Sequence, residues 1–121
     1  MFLATCNKAK QLLVMRYFEH VTAKQLKDNR DNLKALVTEL APGFNTLADF
    51  SQLESMSLDC AEEVGFGMEL LDQHQVALVV RVIPDPRKDI GMNILTLFHY
   101  KRRPQIVTCA NLVEAAKVLA L

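Results

Sequence analysis

A chain of 121 residues in which half are hydrophobic and 23% are charged has the material for one ordinary core, which excludes a disordered segment. Its 14 basic and 14 acidic residues cancel, which excludes the cationic excess that non-specific nucleic-acid binding needs and leaves copies of the chain free of net repulsion. No stretch approaches the roughly 18 apolar residues of a membrane span.

The first predicted elements are two strands, Phe2 to Cys6 and Gln11 to Phe18, joined across Asn7-Lys-Ala-Lys10 as an antiparallel hairpin. The start Met1-Phe-Leu-Ala-Thr-Cys-Asn-Lys8 has neither a basic lead nor a long apolar region, so it does not read as a signal peptide, and a cytoplasmic protein is expected. A helix opens next. Thr22 and Gln25 have the spacing of a capping box, and Val21 with Leu26 that of a hydrophobic staple. Leu26, Leu33, Leu36, Val37 and Leu40 supply its apolar face, and Pro42-Gly43 ends it, because proline lacks the N–H and glycine accepts left-handed angles.

A third strand is predicted over Phe44 to Phe50. Its apolar run stops at Asp49-Phe-Ser51, and a short link leads to a second helix, Asp59 to Gln73, in which Asp59 and Glu62 have capping-box spacing. Val76 to Ile83 is almost continuously apolar, as a strand covered on both faces would be. Asp85 then reads as an N-cap with Pro86 at the first helical position, opening a third helix over Arg87 to His99. A loop at Lys101-Arg-Arg-Pro104, a last strand from Gln105 to Cys109 and a helix from Leu112 to Ala120, capped by Asn111, complete the chain. The order β-β-α-β-α-β-α-β-α implies a single α/β domain. Its mixed sheet of four or five strands carries helical crossovers packed chiefly on one face.

Candidate functional residues gather at element boundaries. Helix starts carry unpaired amides and partial positive charge, which singles out Ser57 and Asp59 and, next to them, Asp85, Arg87 and Lys88. The competing explanation for Ser57 and Asp59 is plain N-capping. Asp49 and Ser51 fall where ligands of open α/β sheets collect, at the end of a central strand, with a locally satisfied buried aspartate as the alternative. Gly65 and Gly67 each cost a helix about 1 kcal/mol relative to alanine. Either tight packing compensates, or a partner or ligand approaches a patch with Phe66 and Met68. The third helix carries more apolar residues than one narrow stripe requires, Ile90, Met92, Ile94, Leu95, Leu97 and Phe98, with Gly91 beside Met92. A homodimer through this region is the preferred expectation, and a lipid-like ligand the other.

Arg87-Lys88 and Lys101-Arg-Arg103 are read as solvated, or as a basic rim for an acidic partner or a lipid headgroup. His20, His74 and His99 show no metal-ligand spacing, and Cys6, Cys60 and Cys109 no CxxC, so no metal, cofactor or disulfide framework is expected and the thiols read as free. Neither a nucleophile–base motif nor a phosphate loop is visible, and the chain is read as no enzyme.

The element order over nearly the whole chain resembles the STAS family, the sulfate-transporter and anti-sigma-factor-antagonist domain. Thr46-Leu-Ala-Asp49-Phe-Ser51 resembles that family's third strand, which typically ends in Asp-Leu-Ser, and Asn111-Leu-Val-Glu-Ala-Ala-Lys-Val-Leu119 resembles its terminal helix. The likeness is to the small, stand-alone bacterial branch, whose layout also resembles the CRAL-TRIO lipid-binding fold. Signalling members carry Asp-Ser-Ser-Gly at the start of the second helix, with a phosphate-accepting serine. Here the matching stretch is Ser57-Leu-Asp-Cys60, which puts Leu58 or Asp59 at that position, according to where a gap is placed. The resemblance implies a protein-interaction module, phospho-regulated if Ser57, or Ser55 before it, supplies the hydroxyl.

Overall fold

The computed structural model describes residues 1–121, apart from the side chain of Lys88. Five strands lie side by side in sequence order: β1 (Phe2–Asn7), β2 (Leu12–Val21), β3 (Asn45–Met56), β4 (Leu78–Val82) and β5 (Gln105–Cys109). The hairpin β1–β2 is antiparallel, and β2 to β5 are parallel throughout. Parallel neighbours laid down in one direction need crossovers of one hand, so their connecting helices must share a face. They do: α1 (Ala23–Asp28), α2 (Arg30–Thr38), α3 (Cys60–Gln73) and α4 (Asp89–His99) cover one side, and α5 (Leu112–Val118) turns back over the other.

The strands' period of two sorts the core accordingly. Leu13, Met15, Tyr17, Ala48, Phe50 and Val79 pack with α1–α3, whereas Leu12, Leu47, Val80, Val82 and Cys109 pack with Ala115 of α5. Tyr17 stacks on Phe50 with ring centroids 4.4 Å apart. Thr46, level with Leu13 and Val79, is fully buried and its hydroxyl has no hydrogen-bond partner. A stranded hydroxyl weakens a core, so Thr46→Val is expected to stabilise the fold by about 1 kcal/mol, read as a higher urea midpoint at unchanged slope.

Three sequence expectations are corrected. The first helix is two, broken at Asn29, whose amide side chain bonds back to the Gln25 carbonyl (2.9 Å) while Arg30 reaches across to Glu63 on α3. The third strand does not stop at Phe50, and residues 52–56 are no link. They continue β3 beside β2, past register shifts at Arg16/Phe18 and Glu19/His20, the second of them beside the left-handed backbone of Glu19. The third helix begins with a 3-10 turn, Pro86–Lys88, before α4 proper. The Thr22–Gln25 capping box forms as expected, and Asn111 accepts the amide of Glu114 at 2.9 Å.

Candidate functional site

The site lies where α3 and α4 begin, beyond the carboxyl ends of the parallel strands. β3 runs into Ser57, whose amide donates to the Val21 carbonyl (3.1 Å) and whose own carbonyl accepts from Cys60 (3.0 Å). The Ser57 hydroxyl points inward, 3.3 Å from the buried Cys60 sulfur. Leu58 and Asp59 are left facing solvent. The Asp59–Glu62 capping box does not form: Asp59 already has helical backbone angles, and an aspartate caps only from extended ones. Glu63, in the same first turn, is tied to Arg30 by two bonds of 2.7 and 2.8 Å, and that guanidinium lies 4.2 Å over the Phe66 ring.

Two openings meet here. A groove of about 370 Å³ runs between α3 and α4, lined among others by Met56, Ser57, Leu58, Gly91, Ile94 and Leu95. A smaller cleft of about 190 Å³ lies under the start of α4, between Phe50, Ser51, Leu53, Ile83, Pro84 and Asp85. Met92 lines both. Ser51, Ser57, Asp85, Gly91, Met92 and Leu95 are thus brought together. Asp85 caps its turn as expected, accepting the Arg87 amide (3.1 Å) and pairing with the Arg87 side chain (3.1 Å), a bond that holds that guanidinium above its usual pKa.

Other candidates belong elsewhere. Asp49 is on the face that α5 covers; it is 3% exposed, accepts the Ser51 amide at 2.9 Å and has Arg16 at 3.5 Å, which makes it a locally satisfied buried aspartate. Because β3 continues, Asp49 also stands mid-strand instead of at a strand end; it is level with Val82, the end of β4. Gly65 and Met68 are interior and form no open patch. Gly65 lies beneath the His99 ring, Phe66 beneath Arg30, and Gly67 faces Leu33. The two basic clusters make no common rim: Arg87 opens α4, whereas Arg102 follows its far end and bonds Asp72. On α4 itself only Met92, Leu95, Thr96 and His99 turn inward enough to be half-buried beside Asp89, leaving Ile90, Ile94, Leu97 and Phe98 exposed.

Sequence reading missed Arg81. Its guanidinium is buried on β4 and donates to Asp89 (3.3 Å), Asn93 (3.0 Å) and the Thr96 hydroxyl, while Asp89 also accepts from Thr108 (2.9 Å). The available signal was a single arginine inside an apolar strand, facing Asp89, Asn93 and Thr96 at helical spacing. Burial pushes the Cys6 and Cys109 thiols upward, with Glu39 and Glu114 adding to it, and so away from the nucleophilic thiolate. Among the described residues, no three His, Cys, Asp or Glu side chains group as a metal would require.

The same architecture occurs in solved structures. The unphosphorylated anti-sigma factor antagonist SpoIIAA superposes with a TM-score of 0.67 at 16% identity, over 99% of this chain and 98% of its own. The fold is STAS-like. A DUF3478-family protein from Shewanella loihica, described as having a SpoIIAA-like fold, matches with a TM-score of 0.71 at 12% identity, over 98% and 92%. The phosphorylated form of SpoIIAA, a Bacillus cell fate determinant, matches at 0.62 and 11%, over 98% and 99%. No family model and no curated protein matches the sequence. In this STAS-like frame the groove opens at the start of the helix that follows β3. Among the described residues, no helix is long and apolar enough to cross a membrane.

Proposed function

We propose that the chain is a non-enzymatic, cytoplasmic regulatory module of STAS type, which acts by binding protein, a second copy of itself included. The observation that carries this reading is the uncharged apolar face of α4, open to solvent beside the α3–α4 groove and the exposed Leu58–Asp59 start of α3. Contiguous apolar surface of this kind marks contact sites. The charged residues at the two helix starts, Asp59 beside Leu58 on α3 and Asp85 and Arg87 in the turn before α4, give orientation to what docks in this reading. Phosphate on Ser57 is the regulatory step of this reading: it requires the hydroxyl to leave its contact with Cys60, and the added charge meets the helix dipole favourably and Asp59 unfavourably.

Leu58→Asp and Asp59→Arg, made in tagged protein expressed in the source cells, are expected to reduce recovery of the bound protein at least about tenfold, as loss of an interface anchor does. Unchanged recovery with both variants would overturn the site. A second reading, a small apolar or lipid-like ligand between α4 and the sheet, is favoured by the cleft between Met92, the middle of β3 and the segment that follows β4. Native mass spectrometry after gentle purification separates the two: a retained extra mass supports the ligand, and the bare chain mass removes it.

A further inference from the structure

The outward face of α4 is the largest feature that the fold itself leaves unused. Ile90, Ile94, Leu97 and Phe98 recur at helical spacing and are 63, 52, 83 and 70% exposed, and Leu58, at 98%, lines the same groove as Ile94. At about 200 Å² for a large side chain, these exposures amount to roughly 700 Å² of apolar surface. That exceeds the ~300–600 Å² of the largest patch on a typical monomer and approaches the ~800 Å² that each partner gives to a standard interface. Between Asp89 and His99, α4 carries no ionisable residue.

We propose that a second copy of this chain covers the face, in a two-fold contact that lays α4 antiparallel against α4. The inference rests on the docking reading above and names its partner. A two-fold contact sets each residue type near its own kind, so charge at its centre would repel. The stripe has none, and the chain's zero net charge adds no repulsion at longer range. An anionic membrane or an acidic partner would instead need free cations around the stripe. Arg87 and Arg102, at opposite ends of α4, are engaged within the chain, with Asp85 and with Asp72, and the exposed Lys101 and Arg103 lie in the loop that follows the helix. A two-fold axis that covers the whole stripe passes through its middle, at Ile94, and sets Ile90 of one copy against Leu97 and Phe98 of the other.

Sedimentation equilibrium of the full chain tests this. The wild type is expected to be dimeric at micromolar concentration. Leu97→Glu, an exposed position that the monomer tolerates, is expected to weaken association at least about a hundredfold while leaving the circular dichroism unchanged. Ile94→Cys, lying on the axis, is expected to give a covalent dimer on mild oxidation, and Val113→Cys, exposed on α5, is not. A wild type that stays monomeric at roughly millimolar concentration overturns the proposal. So does equal cross-linking of the two cysteine variants, or a monomer that floats with phosphatidylcholine–phosphatidylserine vesicles. A monomer that nevertheless loses its protein partner on Asp59→Arg would overturn the dimer and leave the docking module standing.

Discussion

Arg81→Met is expected to cost about 3 kcal/mol of stability, the scale on which a buried ion pair fails when one partner is removed. The guanidinium is 2% exposed, and it is the centre of the polar bonds that hold α4 to the sheet. α4 has no fully buried residue of its own, so less apolar packing stands behind those bonds than behind α3. Methionine would replace the volume but leave the half-buried Asp89 with the Thr108 hydroxyl alone, and Asn93 and Thr96 deprived of their donor. The double variant Arg81→Met/Asp89→Asn should therefore recover at least about 1 kcal/mol, because the stranded charge is gone. Urea denaturation measures both. A loss below about 1 kcal/mol for the single variant, or no recovery in the double, would mean that α4 is held by its apolar contacts and not by Arg81. Native-state hydrogen exchange should show the loosening first in α4, before α3 or the central strands.

What the sequence disclosed was local. The Thr22–Gln25 box and the Asn111 cap involve groups within three residues of each other, so short spacing is enough to see them. The α/β class and the mixed sheet with helical crossovers followed from the alternation of elements, whereas the order of the strands within the sheet came from the structure. What it hid was decided by contacts between distant segments. Nothing in Gln52-Leu-Glu-Ser-Met56 forbids a link, and those residues became strand because β2 is long enough to pair with them. Asn29 breaks a helix without proline or glycine, and the pull comes from Glu63 on another helix. Arg81 reads as a blemish in an apolar run until Asp89, Asn93 and Thr96 are seen beside it. The candidate site was legible in its helix starts and in the surplus of apolar residues on α4, since both are counts along the chain. Which of those apolar residues face outward was not, because Met92 and Leu95 differ from Ile90 and Leu97 only in what they meet.

Gly65→Ala joins these two themes and is expected to destabilise the fold by about 1–2 kcal/mol, although alanine is the better helix former by about 1 kcal/mol. A Cβ at Gly65 would lie 2.5 Å from Nε2 and 2.7 Å from Cε1 of the His99 ring. The ring cannot move freely, because its Nδ1 is 2.9 Å from a carboxylate oxygen of Glu69, one turn further along α3. The added methyl must therefore either break that contact or push α4 away from α3. In a His99→Ala background the obstruction is gone, and the same substitution should become neutral or stabilising by up to about 1 kcal/mol. The cycle thus predicts a coupling of about 2 kcal/mol between positions 65 and 99, measurable by urea denaturation of the four proteins. An equal effect of Gly65→Ala in both backgrounds would deny the glycine its role as the seat of the ring. The consequence reaches the surface, because α3 and α4 are also the walls of the groove that begins at Leu58 and Ile94. Displacing α4 by the width of a methyl group tilts the exposed stripe relative to Leu58. A folded Gly65→Ala protein should accordingly bind its partner more weakly than its loss of stability explains.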